Sequence, residues 1–441
     1  MKSFTVPAAL VALLISSAYP LTSCAHDGRP EPERPGADLA IDWNERVLAI
    51  AEAEDNLLTL KGVRTAAMMH LAMHDALNAI RRRYAPYLGA LPRQHRADPI
   101  AAAAQAAYEV AADQYPQRAA ELGTELRRWL DVSEPGTPRD LGVALGKSAA
   151  AAILAARSGD RWNVDGTYEF RPAAPGVYGD FHEHSATPDG FVFGTGWANV
   201  VPFTFARSDQ FRAPPPPALA SRRYAEAFTE VKEAGRTQSA VRTPDQTHLA
   251  FWWKDFVESS HNRLARQLAA SERLDLWRAT RLLALLNASV LDGYVSSFNN
   301  KFFYNHWRPF TAIRWPGDDG NPATESDPQW NNTHGHTYPF PSYPSAHGTV
   351  CAAAMVVMAD TFGDELAFTM STPTVRKAGP FSEKIPMQPP TRTFARFSDA
   401  AEECAASRVY LGIHFRYDSV EGNRLGTRIG RHAVRKLLRR K

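Results

Sequence analysis

Three polar blocks interrupt the apolar second half of the chain, and each carries side chains that could hold an oxyanion. The first block contains two cations, Lys301 and Arg308, seven positions apart and followed by Pro309. On a continuous helix this spacing places both cations on one face, and the proline then ends or kinks the helix. Aromatic neighbours at 302–304 and 307 argue against a merely solvated basic stripe. We expect this block to supply two positive charges to a buried anion.

The second block places a serine and a histidine at the start of an apolar helix. Ser345 stands at the predicted N-cap and is followed by Ala346, His347 and the run TVCAAAMVVMADTF. A helix start offers free amides and the positive end of the helix dipole. We expect the Ser345 hydroxyl and the Ala346 amide to hold the anion, with His347 facing it. Taken alone, the block fits a plain helix cap with an incidental histidine.

The third block combines an arginine with a histidine and an aspartate. Arg408 is predicted to close one helix and Gly412 to permit a break, after which His414 and Asp418 open the next helix. The i, i+4 spacing lets Asp418 orient His414 and fix its tautomer, as suits a histidine that ligates or attacks. Such a pair alone is usually surface decoration. The His414–Asp418 pair indicates a functional site only in combination with the other two blocks.

Together the blocks resemble the signature shared by vanadium-dependent haloperoxidases and type 2 phosphatidic-acid phosphatases. That signature is Lys, six residues, Arg-Pro; then Pro-Ser-Gly-His; then Ser-Arg, five residues, His, three residues, Asp. The chain matches it in order and spacing, with Ala346 where the family usually has glycine. Over most of its length it is similar to the bacterial vanadium-haloperoxidase-like branch. Phe340 and Asp292 also have counterparts there.

The resemblance implies a role for each site residue. Three cations neutralise the oxyanion, namely Lys301, Arg308 and Arg408. Ser345 and the Ala346 amide add hydrogen bonds, while the alanine methyl narrows the pocket. His347 is the acid–base group. His414, oriented by Asp418, is the apical vanadium ligand or the nucleophile toward phosphate.

The same site could run either of two reactions. As a haloperoxidase it binds vanadate as cofactor and uses hydrogen peroxide to oxidise halide to hypohalous acid, which halogenates a small organic substrate. As an acid phosphatase it needs no cofactor: His414 attacks a phosphate monoester to give a phosphohistidine, and His347 protonates the leaving group. We favour the haloperoxidase because a long helical first half replaces the membrane spans of lipid phosphatases. A non-catalytic, membrane-tethered helical scaffold would leave three complete blocks unexplained.

Helical periodicity dominates the rest of the chain. It predicts an all-α fold of two helical-bundle halves, 43–158 and 221–441, joined by a long aromatic Gly/Pro-rich loop at 159–220, with the site in the C-terminal half. No strand series is predicted. The predicted helices span 43–55, 62–84, 99–115, 117–132, 138–158, 222–234, 243–256, 259–270, 272–303, 346–362, 397–410 and 418–439.

Two further groups of residues could suggest metal or redox chemistry. His70, His74 and Asp75 have helical spacing, but we interpret them as polar core or interface residues. Cys351 and Cys404 are interpreted as small buried residues in packed helices. Whether they form a disulfide stays open, because the sequence does not fix their distance.

The N-terminus predicts export. One lysine precedes an apolar run, the pattern of a secretory signal over 1–25. The run Leu-Thr-Ser-Cys resembles a lipobox, which would make the signal 1–23 and Cys24 the lipidated first residue of a periplasmic-side lipoprotein. A soluble periplasmic or secreted protein is the alternative. Polar, proline-rich residues 26–42 are predicted to form a flexible tether.

The amino-acid composition limits the kinds of partner that we expect. The chain has 441 residues, 44% of them hydrophobic and 22% charged, which is typical of a globular protein. A net charge of +3 is too small to indicate nucleic-acid binding. We expect membrane contact only through the N-terminal lipid, and we leave a homo-oligomer open.

Overall fold

The computed structural model describes residues 36–179, 184–188 and 190–441. The predicted signal, Cys24 and most of the predicted tether lie outside these residues, so export and lipidation stay predictions. The described residues belong to one compact unit, and the division into halves at 43–158 and 221–441 stays a prediction. Among the described residues, no helix is both long and apolar enough to cross a membrane.

The first half of the chain packs around one buried helix. Nearly every residue of the helix at Lys61–Ile80 is buried, because its own alanine, methionine and leucine residues occur on all of its faces. The first helix begins at Asp38, earlier than predicted, because Leu39 and Ala40 already pack into the core. The helices here are α1 (Asp38–Asp55), α2 (Lys61–Ile80), α3 (Pro99–Gln114), α4 (Ala119–Leu130) and α5 (Thr137–Arg157).

The segment between α5 and the next helix is irregular in its described residues, apart from a 3-10 turn at Trp197–Asn199. Buried carboxylates hold it at two points. Asp160 pairs with Arg64 at 2.7 Å, and both oxygens of Asp292 accept backbone N–H groups, from Phe203 and Thr204, at 2.7 Å each. Asp292 therefore anchors this segment to a helix of the second half.

The second half surrounds a long central helix, Leu276–Tyr304. This helix packs against both α2 and the helix Ala346–Phe362, so it joins the two predicted halves through one core. The helices here are α6 (Arg222–Ala234), α7 (Pro244–Trp252), α8 (Val257–Ser271), α9 (Leu276–Tyr304), α10 (Pro309–Ile313), α11 (Ala346–Phe362), α12 (Phe397–Tyr410) and α13 (Arg416–Lys436). The prediction of an all-α class is confirmed.

A short β ribbon between α11 and α12 corrects the expectation of no strands. β1 (Phe368–Ser371) pairs antiparallel with β4 (Thr391–Phe394), and β2 (Thr374–Arg376) pairs antiparallel with β3 (Lys384–Pro386). Strands of three or four residues are too short to show a clear alternating pattern. The sequence therefore offered no periodic signal for them.

A disulfide connects the two helices that carry site residues. Cys351 on α11 and Cys404 on α12 are both fully buried, as interpreted from the sequence. They are also bonded to each other, with a Cα–Cα distance of 6.6 Å. The tertiary packing thus decides the question that the sequence left open.

Close packing of α13 on α11 gives a test of the helix interface. A Cβ atom added at Gly426 would lie 1.9 Å from the Thr349 carbonyl oxygen, whereas one added at Gly123 on α4 meets nothing nearer than 3.7 Å. We expect Gly426→Ala to lower the free energy of unfolding by about 1–3 kcal/mol or more. The matched control, Gly123→Ala, should raise it by up to about 1 kcal/mol. Urea unfolding followed by circular dichroism measures both, and equal stability of the two variants would contradict the packing.

Candidate active site

The first polar block does not form one continuous helix. α9 ends at Tyr304, Asn305 takes a left-handed conformation with φ of 51°, and Arg308 stands just before α10. The predicted common helix face is therefore wrong. Tertiary packing still brings the two cations together, because the Phe340 ring centroid lies 5.2 Å from Lys301 Nζ and 4.6 Å from Arg308 Cζ.

Backbone carbonyls of the loop before α11 hold both cations in place. Lys301 Nζ donates to the carbonyls of Pro341 and Ser342 at 3.0 and 2.7 Å, and Arg308 Nε donates to Phe340 O at 2.8 Å. Burial, followed by the charge of Arg308, lowers the pKa of Lys301 well below its usual value. Burial also lowers the pKa of Arg308 to about 10. A nearby anion would favour the charged form of each.

The second block starts α11 as predicted. Ser345 is the N-cap residue, and its Oγ accepts the Gly348 N–H at 3.2 Å. The Ser345 hydroxyl hydrogen is still available to donate, since that bond uses only an oxygen lone pair. Ala346 is the first residue of the helix, where backbone N–H groups have no acceptor within the helix. Its methyl group packs beside Phe298 and Phe340.

His347 lies on the face of α11 that meets α12. One of its ring nitrogens is within 4.8 Å of the sulfur atoms of Cys351 and Cys404. Its Nε2 is buried and has no hydrogen-bond partner among the described residues. Burial, followed by the charge of Arg408, holds the pKa of His347 well below its usual value. The ring is therefore neutral near pH 7 and gains basicity when an anion offsets that charge.

The third block orients His414 toward the cations. His414 Nδ1 lies 2.9 Å from Asp418 Oδ2, and the hydroxyl of Ser342 donates to the same carboxylate oxygen. Because an ionised carboxylate only accepts, Nδ1 carries the hydrogen and Nε2 keeps its lone pair. Arg308 Nη1 is 3.4 Å from that Nε2. His414 itself stands just before α13, which begins at Arg416.

Arg408 completes the set from the last turn of α12. Its Nη1 donates to Trp253 O at 3.4 Å, and its Nε is buried without a partner among the described residues. Burial lowers the pKa of His414 well below its usual value, and the charges of Arg308, Lys301 and Arg408 add to that effect. The structure thus brings all three predicted cations to His414.

The unsatisfied donors define what this site can bind. The donors Arg308 Nη2 and Arg408 Nε are buried without partners in the described part of the chain, and so is the ring nitrogen Nε2 of His347. Leaving a buried donor unpaired costs about 1–3 kcal/mol, more for a charged group. A tetrahedral oxyanion would accept from these donors and offset the positive charge through charge-assisted bonds. Vanadate and phosphate share that shape and charge, so the residues present fit either one.

Sequence reasoning missed Ser342, which bonds to Asp418 and lies 3.2 Å from His414 Nδ1. A serine within a proline-rich loop carries no distinguishing signal. It acquires its place only because the loop folds back onto the start of α13. Sequence reasoning also missed the backbone of Trp253, which reaches the site from the end of α7.

The candidate metal-binding residues of the first half lie outside the site. His70 Nδ1 contacts Ala66 O at 2.7 Å, and the Asp75 carboxylate accepts the backbone N–H groups of Tyr87 and Leu88. His74 contacts Ala85 O at 3.1 Å. These contacts agree with the interpretation of polar core residues.

Comparison with known sequences supports the resemblance that the three blocks indicated. A family model described as the VCPO second helical-bundle domain matches residues 281–440. Vanadium chloroperoxidase from Curvularia inaequalis is 25% identical over 273 residues, which is 48% of this chain and 44% of that protein. The match thus spans less than half the length of that relative.

Comparison with solved structures extends the likeness to nearly the whole chain. The first bacterial vanadium-dependent iodoperoxidase has a TM-score of 0.74 at 23% identity, covering 94% of this chain and 99% of that chain. A holo bacterial vanadium-dependent chloroperoxidase has a TM-score of 0.65 at 18% identity, covering 84% and 90%. At these identities the likeness shows the fold. With the matched family model over residues 281–440 and the relative, this likeness supports the vanadium-haloperoxidase-like branch.

The two site histidines should fail differently when replaced. His414→Ala removes the Nε2 lone pair, so tight vanadate binding should be lost at every pH. His347→Ala leaves the cations and the Nε2 atom of His414 in place, so vanadate should still bind. Turnover should fall by about 10²–10⁴-fold, and the pH profile should change shape. Isothermal titration with vanadate and steady-state rates across pH measure both effects. Retained binding in His414→Ala with loss in His347→Ala would mean that the two roles are reversed.

Ala346 offers a test of the helix start. It provides a backbone N–H and a small side chain beside Phe298 and Phe340, so Ala346→Gly should be tolerated and should bind vanadate at least as tightly. Ala346→Leu should exclude the oxyanion, because the larger side chain has no room in a packed pocket. Vanadate titration compares the three proteins. Equal affinities would show that the start of α11 does not line the site.

Proposed function

We propose that the protein is a vanadium-dependent haloperoxidase that binds vanadate and uses hydrogen peroxide to oxidise halide to hypohalous acid. The observation that carries the proposal is the convergence of three buried cations on His414, whose Nδ1 is held by Asp418. The likeness to vanadium haloperoxidases in sequence and in fold supports it. The iodoperoxidase and chloroperoxidase named above have the same fold.

The cations of the chain would hold the cofactor by charge and by directed hydrogen bonds. Lys301, Arg308 and Arg408 come from three separate elements, whose packing brings them together. Each charge-assisted hydrogen bond contributes about 1.5–3 kcal/mol. Bound vanadate would supply a Lewis-acid centre that activates peroxide. The positions of these donors are fixed in advance by backbone carbonyls, which favours electrostatic stabilisation of developing negative charge.

His414 would ligate through Nε2. Its hydrogen bond to Asp418 fixes the tautomer, and Ser342 holds the carboxylate in turn. Burial raises the pKa of Asp418 to about 7, while Ser342, Lys301 and Arg308 act in the opposite direction. A carboxylate partner raises the basicity of a ligating imidazole, which strengthens the bond that Nε2 can make.

His347 would move the proton that the reaction needs. Oxidation of halide follows H₂O₂ + X⁻ + H⁺ → HOX + H₂O, so each turnover consumes one proton. The Nε2 atom of His347 is unpartnered among the described residues and lies on the helix that begins with Ser345 and Ala346. Once an anion reduces the positive potential there, the imidazole can take up a proton at Nε2 and deliver it.

An acid phosphatase is the second candidate, because the donor set does not distinguish vanadate from phosphate. The available lone pair of His414 Nε2 could attack phosphorus directly, breaking the bond to the leaving alkoxide. His347 would then protonate that alkoxide, and water would hydrolyse the phosphohistidine. Positive charge from Lys301, Arg308 and Arg408 would stabilise this transition state in a similar way.

A single assay separates the candidates. The purified apo-protein is given hydrogen peroxide, halide and a chromogenic halogen acceptor, with and without orthovanadate, beside a phosphate monoester assay. We expect halogenation only with vanadate, and none in His414→Ala under either condition. Phosphatase activity that vanadate inhibits, without any halogenation, would reverse the assignment. Inactivity of the wild type in both assays would favour a non-catalytic scaffold.

A further inference from the structure

Two buried histidines stand on the loop that leads into Ser345, outside the signature residues. His334 is 1% exposed and His336 is 6% exposed. Both ring nitrogens of His334 and Nε2 of His336 have no hydrogen-bond partner among the described residues. Buried polar atoms in folded proteins are nearly always paired with protein groups or with ordered water. The pair therefore has hydrogen-bonding capacity for a bound water or small ion, which the oxyanion site does not account for.

The surroundings of the two rings are positively charged. Burial lowers the pKa of Lys254 to about 7, and its Nζ donates to the Lys377 carbonyl at 2.8 Å. Burial is also the first cause that lowers the pKa of both histidines. After burial, the groups that act most strongly on the pKa of the two rings are all basic, namely Lys254, Arg308, Arg408, His184 and, for His334, its neighbour His336. Such a cluster would favour an anion over a metal cation.

The pair lies one aromatic ring away from the oxyanion site. The Tyr338 ring centroid is 5.5 Å from that of His334 and 5.2 Å from that of His336. Tyr338 stacks in turn on Phe340 at 5.6 Å, and Phe340 lies against Lys301 and Arg308 as described above. An ion held at the histidines would therefore lie beside the oxyanion without occupying its donors.

The covering loop limits the size of the ligand. Residues 377–383 connect β2 to β3, and a Cβ atom added at Gly379 would lie 2.8 Å from His336 Nδ1. The backbone of this loop thus lies directly against the ring. Because the histidines are also almost fully buried, the space favours a monatomic ion over an organic carboxylate.

We propose that His334 and His336 form a second anion subsite, which holds the halide next to the oxyanion. The imidazole N–H groups would donate to the halide, which needs donors only, and Lys254 adds positive charge nearby. The proposal rests on the proposed haloperoxidase function. Its direct test is a binding measurement, so that failure of either idea can be recognised separately.

Anomalous scattering locates the ion without any turnover. Crystals of the vanadate-free protein and of the vanadate-loaded protein are soaked in sodium bromide, and anomalous difference maps are calculated at the bromine edge. We expect a bromide peak in hydrogen-bond contact with His334 or His336 in both crystals. Bromide found at the oxyanion site or on the surface, with none at the histidines, would overturn the proposal even if the protein is a haloperoxidase.

Variants of His336 test whether the subsite acts in solution. His336→Phe removes the donors but keeps a ring, and should weaken bromide binding roughly tenfold, as expected for loss of one hydrogen bond to a charged group. His336→Gln keeps an amide donor and should restore part of that loss. His95→Gln, at an exposed loop histidine, is the matched control and should change nothing.

Two titrations report on these variants: bromide in the presence of vanadate, and vanadate alone. Weaker bromide binding with vanadate affinity unchanged within about twofold supports a separate subsite. A tenfold loss of bromide affinity corresponds to about 1.4 kcal/mol. If vanadate affinity falls in parallel, or if His336→Gln is as poor as His336→Phe, the histidine is merely structural and the proposal fails. If the protein catalyses no halogenation but bromide still binds at the histidines, the subsite stands and the proposed function fails.

Discussion

The burial of three like charges around one histidine is the constraint on which the rest of the structure depends. Lys301, Arg308 and Arg408 repel one another in a medium of low polarity, and each loses hydration there. Backbone carbonyls and the carboxylate of Asp418 offset part of this cost. The remaining positive potential would give the site affinity for an oxyanion.

That constraint explains why the supporting helices are packed so closely. The disulfide ties α11 to α12 one turn beyond His347 and one turn before Arg408. α13 lies against α11 with glycine at the contact, so that Asp418 can reach its place behind His414. Rigid elements hold charged groups at fixed positions, which is the condition for stabilising a charged ligand without reorganisation.

The difference between a haloperoxidase and a phosphatase on this scaffold lies outside the oxyanion donors. The donors select a ligand by its charge and shape, which vanadate and phosphate share. What could differ is the provision for a second substrate, and the cluster of His334, His336 and Lys254 is a feature that phosphate hydrolysis would not use. Its place beside Tyr338 and the aromatic face of Phe340 connects it to the site.

The sequence by itself determined the class of fold, the bounds of helices such as α6, α11 and α12, and the cap at Ser345, because periodicity and capping depend on near neighbours. It also determined the residue types that a family signature requires. Tertiary structure alone decided that the first two cations meet across a broken helix, that two cysteines pair, and that Ser342 reaches Asp418. The disulfide, the Ser342–Asp418 contact and the contacts of both cations with Phe340 join segments tens of residues apart. Their distances follow from packing of the whole core, which no local pattern encodes.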